Sequence, residues 1–197
     1  MKYFILMLTL SINSFALEKA TFAGGCFWCM EKPFEDLKGV KSVISGFSGG
    51  DIKNPSYDLV SSGQTKHIEV VQVTYDPKLV SYIDLLKVFW VNIIPTDKGG
   101  QFADRGYQYT TAIFYHNDSQ KKQATNSKKF ISALKIKDKD IVTPITKFKA
   151  FYAAEDYHQN FYKKNAASIK RYKSYRKASK RDEKLGDFWK GVKLDFK

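Results

Sequence analysis

The residues best suited to chemistry are the two cysteines of the chain, Cys26 and Cys29, in Gly24-Gly25-Cys26-Phe27-Trp28-Cys29. We expect a strand to end at the glycines and a helix to begin at Cys26. A cysteine in the first turn of a helix lies near the positive end of the helix dipole, beside backbone N–H groups without helical partners. Both features favour the thiolate, which is the nucleophilic form. Phe27 and Trp28 could enclose a small apolar group beside it.

A Cys-x-x-Cys pair has several interpretations. Covalent haem attachment needs a histidine after the second cysteine, and Met30 stands there. Zinc needs two more ligands, and the three histidines lack paired spacing, so we expect no metal site. A static structural disulfide and a thioredoxin-like redox pair both stay open.

A second candidate is Glu69, within an expected strand over residues 67–75. With a two-residue period, Glu69 shares a face with Val71, Val73 and Tyr75. A carboxyl group on an apolar face has a raised pKa and could donate a proton near neutral pH. The alternative is an exposed face, or an ordinary charge on an edge strand.

Two tyrosines lie in polar, loop-like sequence. Tyr57 follows Asn54-Pro55-Ser56, and Tyr109 closes the run from Asp104 to Tyr109. A phenol hydroxyl can hold a polar oxygen by a hydrogen bond without carrying charge. Among 12 tyrosines neither stands out by itself.

The elements that must position these residues mix strands and helices without strict alternation. We predict strands over residues 20–25, 40–47, 67–75, 107–115 and 145–152, and helices over 26–37, 81–90 and 119–134. Ser81 and Asp84 form a capping box at the start of the second helix. The pattern favours a single α+β domain, and no internal repeat is visible.

Composition sets wider limits. The chain has 197 residues, of which 43% are hydrophobic and 15% aromatic, which excludes a disordered chain and allows one sizeable core. It contains no run of about 18 apolar residues that could span a membrane.

Residues 1–16 are predicted to be a signal peptide. Lys2 is followed by the apolar run 3–10, and Ser14-Phe15-Ala16 presents small residues for cleavage after Ala16. The alternative is a buried N-terminal strand or helix. Export, with the periplasm as the expected location, would place the cysteines in an oxidising compartment, where the pair could cycle through a disulfide.

The positive charge is concentrated at the C-terminus. The whole chain carries 33 Lys and Arg against 20 Asp and Glu, while residues 163–197 carry 13 against 4, a local net charge of +9. We therefore divide the chain into a catalytic domain, 17–162, and a basic C-terminal tail, 163–197. Tyr172 and Tyr175 interleave with the basic residues. We interpret the tail as a solvated helical face or a flexible segment, with weak contact to an anionic surface left open and no nucleic acid expected.

Several motifs together resemble one family, peptide methionine sulfoxide reductase A. The resemblance covers roughly residues 20–162, in the family's order. Its motifs are Gly25-Cys26-Phe27-Trp28-Cys29-x-Glu31, Gly49-Gly50-x-x-x-Asn54-Pro55-Ser56-Tyr57-x-x-Val60, Gly63-x-Thr65-x-His67-x-Glu69-Val70-Val71-x-Val73-x-Tyr75-Asp76-Pro77, Leu85-Leu86-x-x-Phe89-Trp90, Pro95-Thr96, Gln101-x-x-Asp104-x-Gly106-x-Gln108-Tyr109 and Glu155-x-Tyr157-His158-Gln159.

The resemblance implies an α+β sandwich, a mixed sheet flanked by helices, that reduces the S epimer of methionine sulfoxide, free or in proteins. It implies no bound cofactor, an external thioredoxin-like or other thiol reductant, and a monomer. In the implied site, the Cys26 thiolate attacks the sulfoxide sulfur and Glu69 protonates the sulfoxide oxygen. Tyr57 and Tyr109 donate hydrogen bonds to that oxygen. Phe27 and Trp28 enclose the S-methyl group, and Asp104 orients the substrate backbone.

Three departures from the family pattern bear on these roles. The tail has no resolving cysteine, so the Cys26 sulfenic acid must condense with Cys29, which we favour, or be reduced by an external thiol. Ile93-Ile94 and Thr110-Thr111 replace His-Asp and Arg-Ser, which puts substrate contacts in question and not the chemistry. The alternative functions are a thioredoxin-like dithiol oxidoreductase and a binding module with a static disulfide.

Overall fold

The computed structural model describes residues 16–196. The predicted signal peptide, except Ala16, lies outside the described residues, so export stays a prediction. Within the described part, no helix has the length and apolar character needed to cross a membrane.

A six-stranded sheet forms the centre of the fold, in the order β7-β6-β1-β3-β2-β8. Every neighbouring pair is antiparallel except β6 with β7, which is parallel, so the sheet is mixed. The remaining strands, β4 and β5, form a separate two-stranded ribbon. The strands are β1 (Glu18–Gly24), β2 (Val40–Ser48), β3 (Ile68–Tyr75), β4 (Gly100–Gln101), β5 (Asp104–Arg105), β6 (Thr111–Tyr115), β7 (Ile145–Lys147) and β8 (Tyr152–Ala153).

Helices flank this sheet, which confirms the predicted α+β class. The helix over 81–90 is present and begins at Ser81 with both hydrogen bonds of the predicted capping box. The helices are α1 (Phe27–Glu35), α2 (Tyr57–Ser61), α3 (Tyr82–Val91), α4 (Asp118–Ala133), α5 (Ala166–Ala178) and α6 (Arg181–Phe188), with short 3₁₀ turns at Tyr107–Tyr109, Ile136–Asp138 and Asp156–His158.

The main core lies between the sheet and helices α1, α3 and α4. Phe22 of β1 stacks on Phe34 of α1 and on Phe89 of α3, with ring centroids 5.1 and 5.2 Å apart. Trp90 is fully buried, and its indole N–H donates to Ser127 Oγ of α4 at 3.0 Å. This packing fixes α1, and therefore the cysteines at its start, against the central strands.

Two predicted strands differ from the structure, and one short helix was not predicted. The strand expected over 107–115 begins only at Thr111, because Gly106, with a φ of 119°, leads into the 3₁₀ turn Tyr107–Tyr109. The strand expected over 145–152 is two strands, because β7 pairs at one edge of the sheet and β8 at the other. Helix α2 was not predicted; the Ser56 hydroxyl caps it by accepting the Leu59 N–H.

The described part of the basic segment, residues 163–196, is packed against the rest of the protein. Helices α5 and α6 form within it, and the indole N–H of Trp189 donates to the Ile93 carbonyl at 3.0 Å. The segment is therefore helical, and it also contributes buried contacts to the fold. The boundary at residue 162 stays a prediction. The buried side chains of residues 163–196 are Ser168, Tyr172, Ser179, Arg181, Leu185, Phe188 and Phe196.

Candidate active site

The two cysteines lie where β1 turns into α1. Cys26 is the N-cap of the helix, and its carbonyl accepts the Cys29 N–H at 3.1 Å. Both thiols are free and buried, with Cys26 7% exposed and Cys29 fully enclosed. Gly25 has a φ of +79°, and a Cβ there would lie 2.6 Å from Gln101 Cβ, so this turn requires glycine. The predicted strand–glycine–helix arrangement is confirmed.

Glu69 lies in β3, directly beside this helix start. It is 2% exposed, and Val71, Val73 and Tyr75 on its face are buried, so the alternative of an exposed face is wrong. Its Oε2 accepts the Phe27 N–H at 2.9 Å, which places the carboxyl at the first turn of α1. Burial raises the pKa of Glu69 well above its ordinary value, although the Phe27 hydrogen bond partly opposes the shift. The raised pKa favours the neutral, protonated form of Glu69, which can give a proton.

The two thiols are hydrogen-bonded to each other. Cys26 donates a hydrogen bond to Cys29, which raises the pKa of Cys26, and burial raises it further. The same hydrogen bond lowers the pKa of Cys29 to about 7, with help from the nearby Arg181 and Arg176. The sequence led us to expect the thiolate on Cys26. In the structure the lowered pKa belongs to Cys29 and the raised one to Cys26, because of the hydrogen bond between them.

Tyr57 and Tyr109 face the same site. Tyr57 opens α2, and Tyr109 ends the 3₁₀ turn after β5. Burial, then the nearby Glu69, raise the pKa of Tyr57 to about 12 and raise that of Tyr109 even further. Both hydroxyls are therefore protonated at neutral pH and available as donors, and Tyr57 also interacts with Tyr109.

Aromatic rings surround the start of α1. Phe27 is buried and contacts the rings of Tyr57 and His158, with centroids 6.3 and 5.1 Å away. Trp28 stacks on Phe161 at 3.8 Å and nearly parallel, so one face of its indole is covered. His158 is buried, and neither ring nitrogen has a hydrogen-bond partner. Phe161 and His158 have no assigned role in the sequence analysis, although His158 lies in a quoted motif.

Asp104 lies at the start of β5 and is engaged by the C-terminal segment. Its Oδ2 accepts a hydrogen bond from the Tyr175 hydroxyl of α5. Tyr172 and Tyr175 also pack in one cluster with Cys26 and Cys29. The sequence analysis assigned no site residue to this segment and so missed these contacts. The available signal was the three-residue spacing of the tyrosines, which puts them on one helical face.

The residues that depart from the family pattern are buried or hydrogen-bonded within the fold. Ile93 is fully buried in the core, and the Ile94 backbone forms two hydrogen bonds with the Gln101 amide, at 2.8 and 3.0 Å. Thr111 Oγ1 is hydrogen-bonded to Thr143 Oγ1 at 2.8 Å. Among residues 16–196, no three side chains of His, Cys, Asp or Glu are grouped to hold a metal ion.

Comparison with known proteins assigns the family. A family model described as peptide methionine sulfoxide reductase matches residues 18–191. A Bacillus subtilis protein named peptide methionine sulfoxide reductase MsrA is 54% identical over 157 residues, which cover 80% of this chain and 89% of the relative. This chain belongs to the MsrA family. The family match extends beyond residue 162, where the resemblance seen in sequence ended, and takes in both α5 and α6.

Solved MsrA-family structures share the fold. Reduced Mxr1 from Saccharomyces cerevisiae superposes with a TM-score of 0.68 and 31% identity, covering 76% of this chain and 86% of the yeast chain. Methionine sulfoxide reductase A of Corynebacterium diphtheriae has a TM-score of 0.68 and 30% identity, covering 78% and 77%. Yeast Mxr1 has also been solved in complex with Trx2, with a TM-score of 0.51 and 22% identity, covering 78% and 90%.

Proposed function

We propose that this protein reduces the S epimer of methionine sulfoxide, free or in proteins, to methionine. The observation that carries the proposal is a buried, neutral carboxyl, Glu69, hydrogen-bonded to the residue after Cys26. A sulfoxide is a poor electrophile until its oxygen gains a proton, so a thiol nucleophile needs such an acid beside it. Membership of the MsrA family supports the same reaction.

The reaction begins with attack of the Cys26 sulfur on the sulfoxide sulfur. Cys29 accepts a hydrogen bond from the Cys26 thiol and can take its proton. Glu69 donates a proton to the sulfoxide oxygen, while Tyr57 and Tyr109 donate hydrogen bonds to it. The oxygen ends as the hydroxyl of a Cys26 sulfenic acid, and methionine leaves with its sulfur reduced.

Substrate binding at Asp104 requires the substrate to replace a contact made within the protein. We assign Phe27 and Trp28 to the S-methyl group and Asp104 to the substrate backbone. Tyr175 is hydrogen-bonded to Asp104, and Phe161 covers one face of Trp28. A bound peptide would therefore replace the Tyr175 hydroxyl at Asp104.

The sulfenic acid is then resolved by Cys29, and an external thiol reduces the resulting disulfide. Cys29 is three residues from Cys26, is hydrogen-bonded to it and has a pKa of about 7, which makes it partly thiolate at neutral pH. A thioredoxin-like protein is the proposed reductant, in keeping with the Trx2 complex of yeast Mxr1. We also propose that the protein is exported to the periplasm and acts there as a monomer.

A thioredoxin-like dithiol oxidoreductase is not favoured. Such an enzyme needs two exchanging cysteines and leaves the buried Glu69, Tyr57 and Tyr109 without a role. A static-disulfide module is likewise not favoured, because both cysteines are free thiols in the structure.

A single-turnover assay on residues 17–197 tests the proposal. Separated epimers of a methionine sulfoxide peptide are supplied in excess without reductant, and methionine formed and thiols lost are counted. We expect methionine from the S epimer alone, and none with Cys26→Ser. Two thiols lost per methionine would support Cys29 as the resolving residue, and one would support an external thiol. A folded, reduced protein that forms no methionine from either epimer would refute the proposed function.

A further inference from the structure

The C-terminal segment buries a positive charge next to the cysteines. Arg181, the first residue of α6, is only 1% exposed, whereas the basic residues around it, such as Lys180 and Lys184, are exposed. Arginine stays charged in proteins, and a buried charge is costly unless a negative group balances it. The structure must therefore supply an anion close to Arg181.

The hydrogen bonds of Arg181 go to neutral acceptors. Its Nη2 donates to the Asn92 carbonyl at 2.6 Å, and more weakly to the Gly24 carbonyl at 3.4 Å and Met30 Sδ at 3.3 Å. Its Nε has no partner, and its guanidinium lies 4.4 Å from the centre of the Phe102 ring. Within residues 16–196, no carboxylate forms a salt bridge with Arg181.

These contacts place the unbalanced cation against the cysteine segment. Gly24 and Met30 stand on either side of the Cys26–Cys29 run, and Arg181 touches both. Asp104 is the carboxyl whose charge Arg181 also favours, although burial raises the pKa of Asp104 and opposes that charge. Cys29 is fully enclosed, lies next to Met30 in the chain and can become an anion, and Cys26, the other thiol of this segment, is the donor in the hydrogen bond between them.

We propose that Arg181 is a positioning residue whose buried positive charge holds Cys29 as a thiolate. This inference rests on the proposed function, because it is in that reaction that the Cys29 thiolate resolves the Cys26 sulfenic acid. Cys29 releases to solvent the proton that it took from Cys26, and its thiolate then attacks the sulfur of the Cys26 sulfenic acid, so that an S–S bond forms and the S–O bond breaks. The oxygen leaves as hydroxide and becomes water with a proton from solvent. Cys29 is oxidised, and the sulfenic acid is the oxidant. The lowered pKa of Cys29 agrees with this role.

Other groups near Cys29 also act on its charge. Arg176 of α5 favours the thiolate, but it is already paired with Asp182 through its Nε and Nη2. The remaining titratable groups that interact with Cys29 are Cys26 on α1, Glu69 on β3, Asp104 on β5, and Tyr172 and Tyr175 on α5. All are retained in the experiment below except Cys26, whose replacement keeps a hydroxyl donor.

The test is a pH titration of the Cys29 thiolate by its ultraviolet absorbance, in the full chain with Cys26→Ser. The hydroxyl that this substitution introduces can still donate to Cys29, and Cys29 is then the one thiol. Arg181→Met and Arg181→Gln remove the charge, and Gln keeps amide donors for the Asn92 carbonyl. Arg181→Lys keeps the charge. Lys184→Met, on the exposed face of the same helix, makes the same change in net charge as a matched control.

We expect both neutral variants to raise the titration midpoint by roughly one pH unit or more, the usual size of an opposite-charge effect. Arg181→Lys and Lys184→Met should stay near the parent. A neutral variant with native circular dichroism and the parent's midpoint would overturn the proposal. The proposal would also be overturned if the Cys29 midpoint in the Cys26→Ser parent equalled or exceeded that of an ordinary thiol, and this result does not depend on whether the neutral variants fold. This readout needs no sulfoxide, so failure of the proposed function would appear separately, in the epimer assay.

Discussion

Replacing Glu69 by Gln removes the transferable proton and keeps nearly the same shape. The amide oxygen can still accept the Phe27 N–H, which now lies 2.9 Å from Glu69 Oε2. The amide NH₂ would stand where the acid O–H stands, and it can hydrogen-bond to a sulfoxide oxygen but cannot protonate it. The substitution therefore isolates proton donation from binding and packing.

The expected loss is large because Glu69 is enclosed. General-acid catalysis contributes roughly 10²- to 10⁴-fold, or about 3–5 kcal/mol of barrier. With 2% exposure at Glu69, water has little access to take over as the acid. We therefore expect methionine formation to slow by about 10³-fold or more, the upper half of that range.

The assay is single-turnover methionine formation with Glu31→Gln as a matched control. Glu31 is also fully buried on α1, and burial raises its pKa to about 7. Its Oε1 accepts from the Ser45 hydroxyl and the Asn160 N–H, which an amide oxygen can also do. We expect the control to form methionine at nearly the normal rate. A Glu69→Gln rate within about tenfold of the unsubstituted protein would be too small a loss for a general acid and would refute this reasoning.

The same substitution should change how stability depends on pH. The pKa of Glu69 is raised in the folded protein, so the folded state binds this proton more tightly than the unfolded chain does. Stability from this group is therefore present below the unfolded pKa of about 4.3 and is lost as the pH rises through the folded pKa. Glu69→Gln should gain stability relative to the parent over that window, measured by urea unfolding at several pH values.

Three further substitutions test other parts of the site. Cys29→Ser should still form about one methionine per protein, more slowly because the proton acceptor is lost, and should keep Cys26 as a sulfenic acid that dimedone labels; an unsubstituted protein that is labelled to the same extent after turnover would contradict the resolving role. Tyr175→Phe should free Asp104 and lower the KM for a peptide sulfoxide by up to about tenfold, the scale of a hydrogen bond to a charged group, and an unchanged KM would argue against competition at Asp104. Gly25→Ala should destabilise the fold by about 1–3 kcal/mol in urea unfolding, because of its positive φ and the crowding against Gln101, and no loss would mean that the turn tolerates a side chain.

Local sequence patterns determined much of this protein. The two glycines before Cys26 predicted the turn that places it at a helix start, and Ser81 with Asp84 predicted a cap that the structure contains. The alternation around Glu69 predicted its buried face. Each of these depends on residues within a few positions of one another, and short-range backbone and side-chain geometry is what such patterns encode.

Tertiary packing decided the electrostatics of the site. The pKa of Cys29 is lowered by its hydrogen bond with Cys26 and by Arg181 and Arg176, which are distant in sequence. Arg181, which composition alone placed in a basic tail, is buried beside α1, and Tyr175 reaches Asp104 from 71 positions along the chain. Burial and long-range neighbours set a pKa, and neither can be read from a charge count, because the same side chain is solvated on one helical face and enclosed on the next.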